Sequence, residues 1–267
     1  MSGTKAADEF NEAFQQGIKT KPVLLGPISF LKLGKEKQAD FNRLELIHTL
    51  LPVYIELIGK LENAGADCIQ IDEPCLVTDL TDYERNLYRT TLTEIFGSFP
   101  GIRFVLATYF ESIEKEAGWI SRLPLEVLHL DLVCGEQQLD VFLEKIPSTM
   151  SLSLGIVNGR NIWKNDFEKS LQLINKAKSE IGPERIILAP SCSLLHVPYD
   201  LENEHDEKGL PAAVKKRMAF ARQKTEELVT LIKQVKRKPV ERDTLYNVMN
   251  DYSEVNFETN TFDVSLN

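Results

Sequence analysis

The sequence predicts an α/β fold, a TIM-like (β/α)8 barrel that is incomplete, with about six parallel strands. Three observations support this. Six short apolar runs rich in Val, Ile and Leu are typical of strands buried on both faces of a parallel sheet. Amphipathic helical patterns lie between the runs, and polar residues follow almost every run. A closed barrel needs eight strands, so we expect this one to be incomplete.

A doubly wound open sheet is the alternative arrangement of alternating strands and helices. No GxGxxG or Walker motif follows any predicted strand, which weakens the nucleotide-binding version of that fold. Polar residues end nearly every strand, whereas a doubly wound sheet binds its ligand at one switch point. Both observations favour the barrel.

Each predicted strand is a short run of largely apolar residues. The six runs are Pro22–Ile28, Cys68–Ile71, Phe104–Thr108, Val127–Leu132, Leu152–Val157 and Ile186–Ala189. The sharpest boundary follows Ile69–Ile71, where Asp72, Glu73 and Pro74 end the run. Two adjacent carboxylates at that point are hard to explain by packing alone, since a buried strand favours further apolar residues.

Apolar residues at helical spacing predict a helix between successive strands. In the first, they recur from Ile47 to Leu61, and Gly65 follows as a stop. The next four helices are predicted over Tyr83–Phe96, Ile113–Ile120, Leu139–Ile146 and Phe167–Ile181. A long final helix is predicted over about Leu210–Lys238, with Pro211 in its first turn.

We expect residues 1–238 to form one partial barrel domain and residues 239–267 to form a polar tail. A barrel short of two strands leaves its first and last strands with unpaired backbone groups, so something should cover the gap. Alternating residues over Val255–Thr259 and Phe262–Leu266 predict a short hairpin for that role. The alternatives are a second copy of the chain paired edge to edge, or an unstructured tail.

Composition excludes several classes of protein. The 267 residues carry a net charge of −9, which disfavours nucleic-acid and anionic-membrane partners. No apolar stretch is long enough to span a bilayer, and the N-terminus lacks an apolar signal core. The four cysteines, Cys68, Cys75, Cys134 and Cys192, contain no CxxC pair. We therefore expect reduced thiols in a cytoplasmic protein.

Polar residues at the predicted strand ends define a candidate cleft. They are Asp72, Glu73, Tyr109, Asp131, Asn158, Arg160, Cys192 and His196. Because the carboxyl ends of parallel strands share one face, we expect Asp72, Glu73, Asp131, Asn158 and Arg160 to converge there. Glu73 or Asp131 is a candidate for a raised pKa, since several carboxylates would share a partly buried site.

Structural roles compete with functional ones for each of these residues. Asp72 and Glu73 could instead cap the next helix or pair with Arg160, and Arg160 could grip an anion or form a surface ion pair. Asp131 could be an interior carboxylate bonded to a neighbour. Cys192 near His196 suggests a nucleophile or a metal site, but this spacing is not a metal-ligand signature, and a buried thiol is the alternative.

Several segments, in order, resemble the amino-terminal domain of the cobalamin-independent methionine synthases. They are Lys21–Leu31 with Leu33–Lys35, Leu51–Tyr54, Gln70–Pro74, Val157–Trp163 and Ser191–His196. The resemblance covers about Phe10–Lys238 and implies an enzyme of two (β/α)8 barrels arranged face to face. It also implies methyl transfer from methyltetrahydrofolate polyglutamate to homocysteine, with zinc and homocysteine held by the carboxyl-terminal barrel. The amino-terminal barrel braces that barrel and helps with the folate tail.

The sequence departs from the family in two respects. This sequence does not match the family's first two strands, whose basic residues contact the folate glutamates. It also does not match the whole zinc-bearing barrel. At the positions that match the zinc ligands stand Leu106, Thr108, Asp131 and Cys192. Leu106 cannot bind a metal and Thr108 is a poor zinc ligand, whereas catalytic zinc requires about three protein ligands. We therefore expect no metal and no cofactor in this chain, zinc and methyltetrahydrofolate polyglutamate being implied for the full enzyme.

The resemblance implies that the chain is part of, or a homologue of, a 5-methyltetrahydropteroyltriglutamate–homocysteine S-methyltransferase. We expect it to be inactive on its own. Its expected partner is a zinc-bearing catalytic barrel or a second copy of itself. A degenerate barrel that acts only as a structural or binding module is the alternative function.

Overall fold

The computed structural model describes residues 3–37, 40–204 and 210–236. Six strands form one parallel sheet in chain order, each hydrogen-bonded to the next. They are β1 (Val23–Leu25), β2 (Cys68–Asp72), β3 (Arg103–Ala107), β4 (Val127–Asp131), β5 (Ser151–Val157) and β6 (Ile186–Pro190). The prediction of six parallel strands is confirmed.

Helices connect the strands along the chain. They are α1 (Lys5–Gln15), α2 (Pro27–Leu33), α3 (Ile47–Asn63), α4 (Asp82–Ser98), α5 (Ala117–Ile120), α6 (Gln138–Lys145), α7 (Phe167–Ile181), α8 (Ala212–Lys215) and α9 (Ala221–Lys236). No helix in the described ranges has both the length and the apolar character needed to cross a membrane.

The strands present two different faces, because successive side chains point to opposite sides. On β2, Ile69 and Ile71 are fully buried and belong to the main core. On β3, the Phe104 ring packs against Phe96 of α4 with centroids 4.8 Å apart. The opposite face carries polar side chains such as Gln70, which is why the interior of this barrel can hold a hydrogen-bonded network.

The first predicted strand, Pro22–Ile28, is wrong at its end. Strand β1 stops at Leu25, Gly26 is extended as the N-cap of α2, and Pro27 occupies the first turn of that helix. Proline is favoured there because its missing N–H is not needed in the first turn. The apolar run therefore continues through a strand and into a helix, which composition alone does not distinguish.

The single helix predicted over Leu210–Lys238 is also wrong. Two helices, α8 and α9, are separated by residues that pair with another loop, since Met218 forms an antiparallel bridge with Trp163. Pro211 stands before α8 as its N-cap. The helix predicted over Ile113–Ile120 is likewise too long. The segment forms a 3-10 turn at Glu114–Glu116, and the four-residue helix α5 follows it.

The β1 edge of the sheet is apolar and exposed. Next to it, Phe30 and Leu33 of α2 line an open depression of about 740 Å³ with Leu25, Phe41 and Leu46. The Leu25 carbonyl accepts a hydrogen bond of 2.6 Å from the Tyr54 hydroxyl, so this group of the edge strand does have a partner. The predicted tail at 239–267 and its hairpin lie outside the described residues.

Candidate functional site

All eight residues of the predicted cleft lie at the carboxyl-terminal edge of the sheet. Asp72 and Asp131 are the last residues of β2 and β4, and Glu73 directly follows β2. Tyr109 follows β3, Asn158 and Arg160 follow β5, and Cys192 and His196 follow β6. Their contacts divide them into separate groups with different roles.

Glu73 contacts the first turn of α2. Its carboxylate accepts the backbone N–H groups of Ile28 at 3.1 Å and Ser29 at 2.8 Å, at the first turn of that helix. A Cβ at Gly26 would lie 2.2 Å from the Glu73 Cδ, so the two residues fit only because position 26 is glycine. Glu73 therefore caps a helix, although α2 lies before it in the chain and not after it.

Burial raises the pKa of Glu73 to about 7, even though the hydrogen bonds from Ser29 and Ile28 act in the opposite direction. Asp72 adds a smaller increase through its charge. The predicted raised pKa is thus confirmed for Glu73. Its main cause is loss of water, and the neighbouring carboxylate that motivated the prediction is secondary.

Asp72 belongs to a polar network on the interior face of the sheet. Its carboxylate accepts hydrogen bonds from Gln70 Nε2 at 2.7 Å and the Tyr109 hydroxyl at 3.1 Å. Lys21 donates to the Oε1 of Gln70, and burial lowers the pKa of this lysine. Burial also raises the pKa of the half-buried Asp72.

Asp131 accepts hydrogen bonds from three backbone N–H groups. Its Oδ2 accepts the N–H of Phe110 at 2.9 Å, and its Oδ1 accepts those of Val133 and Cys134, each at 3.0 Å. Phe110 has φ of 81°, a left-handed conformation that is strained for a bulky residue. Asp131 therefore ties the loop after β3 to the loop after β4 and holds Phe110 in place.

The ring of Phe110 contacts two exposed side chains of the cleft, Arg160 and His196. The Arg160 guanidinium lies 4.7 Å from the ring centroid, and the His196 ring meets it edge-on at 5.8 Å. Asn158 forms the turn beneath, its Oδ1 accepting the backbone N–H of Arg160 at 2.8 Å. Among the described residues no carboxylate forms an ion pair with Arg160, so its charge remains available to an anion or a partner.

Cys192 is a buried thiol and is not activated. Burial raises its pKa to about 11, so the thiol stays protonated at neutral pH. The Sγ packs against Gly159, where an added Cβ would lie 2.9 Å from it. His196 contacts the Phe110 ring instead of this sulfur. These contacts favour the buried-thiol interpretation over the nucleophile.

Sequence reasoning missed His129 as part of the site. Its Nδ1 lies 2.9 Å from the Ser153 hydroxyl and its Nε2 lies 3.3 Å from the Ser191 carbonyl. Because a carbonyl only accepts, Nε2 carries the proton and Nδ1 accepts from Ser153. Burial lowers the pKa of His129 to about 4, so the ring is neutral. A polar residue inside the apolar run Val127–Asp131 was the available signal.

The positions that the sequence resemblance aligned with zinc ligands are engaged in other contacts. Leu106 belongs to the core, and the Thr108 hydroxyl donates to the His129 carbonyl at 3.1 Å. Both oxygens of Asp131 are occupied by backbone N–H groups. Within the described ranges, no three His, Cys, Asp or Glu side chains come together as a metal-binding group.

Comparison with known proteins places these features in context. A family model described as "Cobalamin-independent synthase, N-terminal domain" matches residues 1–182. The 5-methyltetrahydropteroyltriglutamate–homocysteine methyltransferase of Flavobacterium johnsoniae is 51% identical over 229 residues, covering 85% of this chain and 30% of that protein. The Cytophaga hutchinsonii protein of the same name is 49% identical over 244 residues, covering 90% and 31%. The chain thus spans about 30% of the length of these relatives.

Two solved structures share the fold. A B12-independent methionine synthase from Shewanella sp. W3-18-1, in complex with selenomethionine, superposes with a TM-score of 0.56 at 15% identity, covering 72% of this chain and 60% of that one. A methyltransferase from Methanosarcina mazei gives 0.53 at 16% identity, covering 71% and 58%. At such low identity these similarities show the fold alone.

Proposed function

Because the chain belongs to the cobalamin-independent methionine synthase family through its amino-terminal domain, we propose that it works as one part of a methionine-forming methyltransferase and has no activity alone. One observation carries the proposal. Asp131 and Glu73 carry the carboxylates that are the strongest candidates for acid–base chemistry in the sequence. Both carboxylates accept hydrogen bonds from backbone N–H groups.

The residues also do not fit the zinc that the resemblance implies for the full enzyme. Leu106 has no donor atom, both Asp131 oxygens already accept backbone N–H groups and the Cys192 thiol is held protonated. A metal-bound thiolate is what would make homocysteine reactive at neutral pH. Zinc, homocysteine and the folate therefore belong to a separate catalytic barrel in this proposal, and no catalytic step is assigned to this chain.

The loop after β6 is the proposed contact for that catalytic barrel. Leu195 and Tyr199 are 93% and 75% exposed and are the two most exposed of the large hydrophobic side chains in the described ranges. They lie in the same loop as His196, beside the exposed Arg160 and its Phe110 platform. An apolar contact with a flanking cation is typical of a protein interface. The unpaired state of all four cysteines supports a cytoplasmic location.

The test is methyl transfer from methyltetrahydropteroyltriglutamate to homocysteine, measured for the chain alone and with the carboxyl-terminal barrel of the Flavobacterium johnsoniae relative. We expect no turnover by the chain alone and turnover by the mixture above that of the catalytic barrel. Chelator-sensitive turnover by the chain alone would contradict the proposal. A mixture no more active than the catalytic barrel would favour a structural or binding module instead.

A matched pair of variants locates the contact. Leu195→Ser should weaken association with the catalytic barrel without altering the chain's stability, because the side chain is almost fully exposed. Leu33→Ser, at an exposed site on α2, is the control and should leave association unchanged. Equal binding by both variants would remove the β6 loop from the interface.

A further inference from the structure

The exposed large apolar side chains of this protein are concentrated at one place in the fold. Of the twelve in the described ranges, eight lie between Phe14 and Leu46, around β1 and α2. Five of them line the open depression of about 740 Å³ and form a surface that we call the α2 face: Leu25, Phe30, Leu33, Phe41 and Leu46. A contiguous apolar surface of this kind is uncommon on a protein in water unless another group covers it.

Positive charge surrounds the α2 face. Lys35, Lys37 and Arg43 line the same depression, together with the acidic Glu36. Glu36 lies 3.7 Å from the Arg43 guanidinium, but in the described part of the chain no carboxylate pairs with either lysine. The Nε of Arg43 is buried and has no hydrogen-bond partner among those residues. The α2 face therefore suits an occupant that is both apolar and acidic.

The carboxyl-terminal segment of the sequence has this composition. Residues 243–267 include ten apolar side chains, which alternate with other residues over Val255–Thr259 and Phe262–Leu266. The segment has no lysine or arginine, although the whole chain has 31. Its five carboxylates are those of Asp243, Asp251, Glu254, Glu258 and Asp263. Charge and apolar content thus both complement the α2 face.

The segment also starts from a place that allows it to reach the α2 face. Helix α9 packs on β6, the edge strand opposite β1, and ends at Lys236. In an incomplete barrel those two edges border the same gap. Residues 237–267 can extend for about 100 Å, whereas a domain of this length has a radius of gyration of about 18 Å.

We propose that residues 243–267 fold back onto the α2 face of their own chain. Their apolar side chains enter the depression, and their carboxylates pair with Lys35, Lys37 and Arg43. Side-chain contacts with α2 therefore hold the segment, in place of the backbone pairing expected of a hairpin at the sheet edge. Because the segment is tethered, its effective concentration is on the order of millimolar, so weak contacts suffice.

A second copy of the chain fits the α2 face less well. A twofold interface through this face would bring the same three cations of both copies together, and like charges repel. The occupant within the chain avoids this cost, since it supplies the opposite charge. The inference does not depend on the proposed function, because it involves no catalytic barrel and no substrate.

Zero-length carbodiimide cross-linking of the full chain tests the contact, since it joins an amine to a carboxylate only where the two groups touch. The cross-linked monomer is isolated, and its peptides are identified by mass spectrometry. We expect Lys35 or Lys37 to be joined to residues 243–267 several times more often than Lys145, an exposed lysine at the end of α6. Equal cross-linking of the segment to all three lysines, or none at Lys35 and Lys37, would overturn the proposal.

A mixture of unlabelled and nitrogen-15-labelled chains shows which chain supplies the segment. Cross-links within one isotope type are expected. Cross-links that join the segment of one type to Lys35 or Lys37 of the other would show that a second copy occupies the α2 face, contrary to the proposal.

A pair of double variants tests the apolar part of the contact. Phe30→Ser with Leu33→Ser should lower the yield of cross-links at Lys35 and Lys37 several-fold, because it removes apolar surface from the α2 face. Leu195→Ser with Tyr199→Ser is the control and should leave that yield unchanged. All four side chains are exposed, so both variants should fold. Equal yields from the two variants would overturn the proposal.

Discussion

The Asp131 carboxylate accepts the backbone N–H of Phe110 across 2.9 Å, which joins the ends of β4 and β3. Phe110 is held in a left-handed conformation, and its ring in turn supports Arg160 and His196. A carboxylate that looked like a candidate for chemistry therefore anchors the loop whose Phe110 ring contacts Arg160 and His196. This relationship makes Asp131 a positioning residue for the loops after β3 and β4.

Asp131→Asn should destabilise the chain by about 2–4 kcal/mol, because an amide nitrogen then faces a buried backbone donor and one acceptor is lost. Urea unfolding measures the change. Asp79→Asn is the control, since that carboxylate is fully exposed in a surface ion pair with Lys115 and should give no measurable change. Equal stability of both variants would mean that Asp131 does not brace the loops.

Gly26→Ala should cost about 2–4 kcal/mol, since the new Cβ displaces Glu73 from the first turn of α2. Gly97→Ala is the control, because nothing lies near that position on α4 and a helical glycine gains from the change. In a Glu73→Ala background the clash disappears, so Gly26→Ala should then cost much less. Additive losses in this double-mutant cycle would contradict the proposed contact.

Stability should depend on the ionisation of Glu73. The pKa of this carboxyl is about 7 in the folded chain against an ordinary value of 4.5, so the folded state retains a proton that the unfolded state loses. The contribution is present below pH 4.5 and is lost as the pH rises through about 7, amounting to on the order of 3 kcal/mol. The measurement is the difference in unfolding free energy between the wild-type chain and Glu73→Gln from pH 4 to 8. Parallel curves for the two proteins would show that Glu73 does not titrate in this range.

The buried ring of His129 should remain neutral with its proton on Nε2. Its pKa is lowered to about 4 from 6.5, so its contribution to stability is complete above pH 6.5 and is lost as the pH falls toward 4. Nitrogen-detected NMR of the imidazole at pH 6 should give the Nε2–H tautomer, with the assignment made by loss of the signal in His129→Gln. An imidazolium signal at pH 6 would contradict the hydrogen bonds to Ser153 and Ser191.

Hydrophobic periodicity in the sequence determined the class of the fold and the order of its strands. Helix α7 was predicted at its observed bounds, Phe167–Ile181, because Gly182 and Pro183 end it by local chemistry. The cleft residues were placed at one edge of the sheet for a general reason: parallel strands all end on the same side. These signals are local or depend on topology alone, so they can be read without coordinates.

Only the tertiary structure decided which group each polar side chain bonds. Glu73 caps a helix whose first turn lies 44 residues earlier in the chain, and Asp131 holds a backbone group 21 residues away. The break between α8 and α9 arises because Met218 pairs with Trp163, although the segment itself has helical spacing. Such contacts join residues that are distant in sequence, and their energies depend on burial and angle. For that physical reason, residue type alone could not separate a capping carboxylate from a catalytic one.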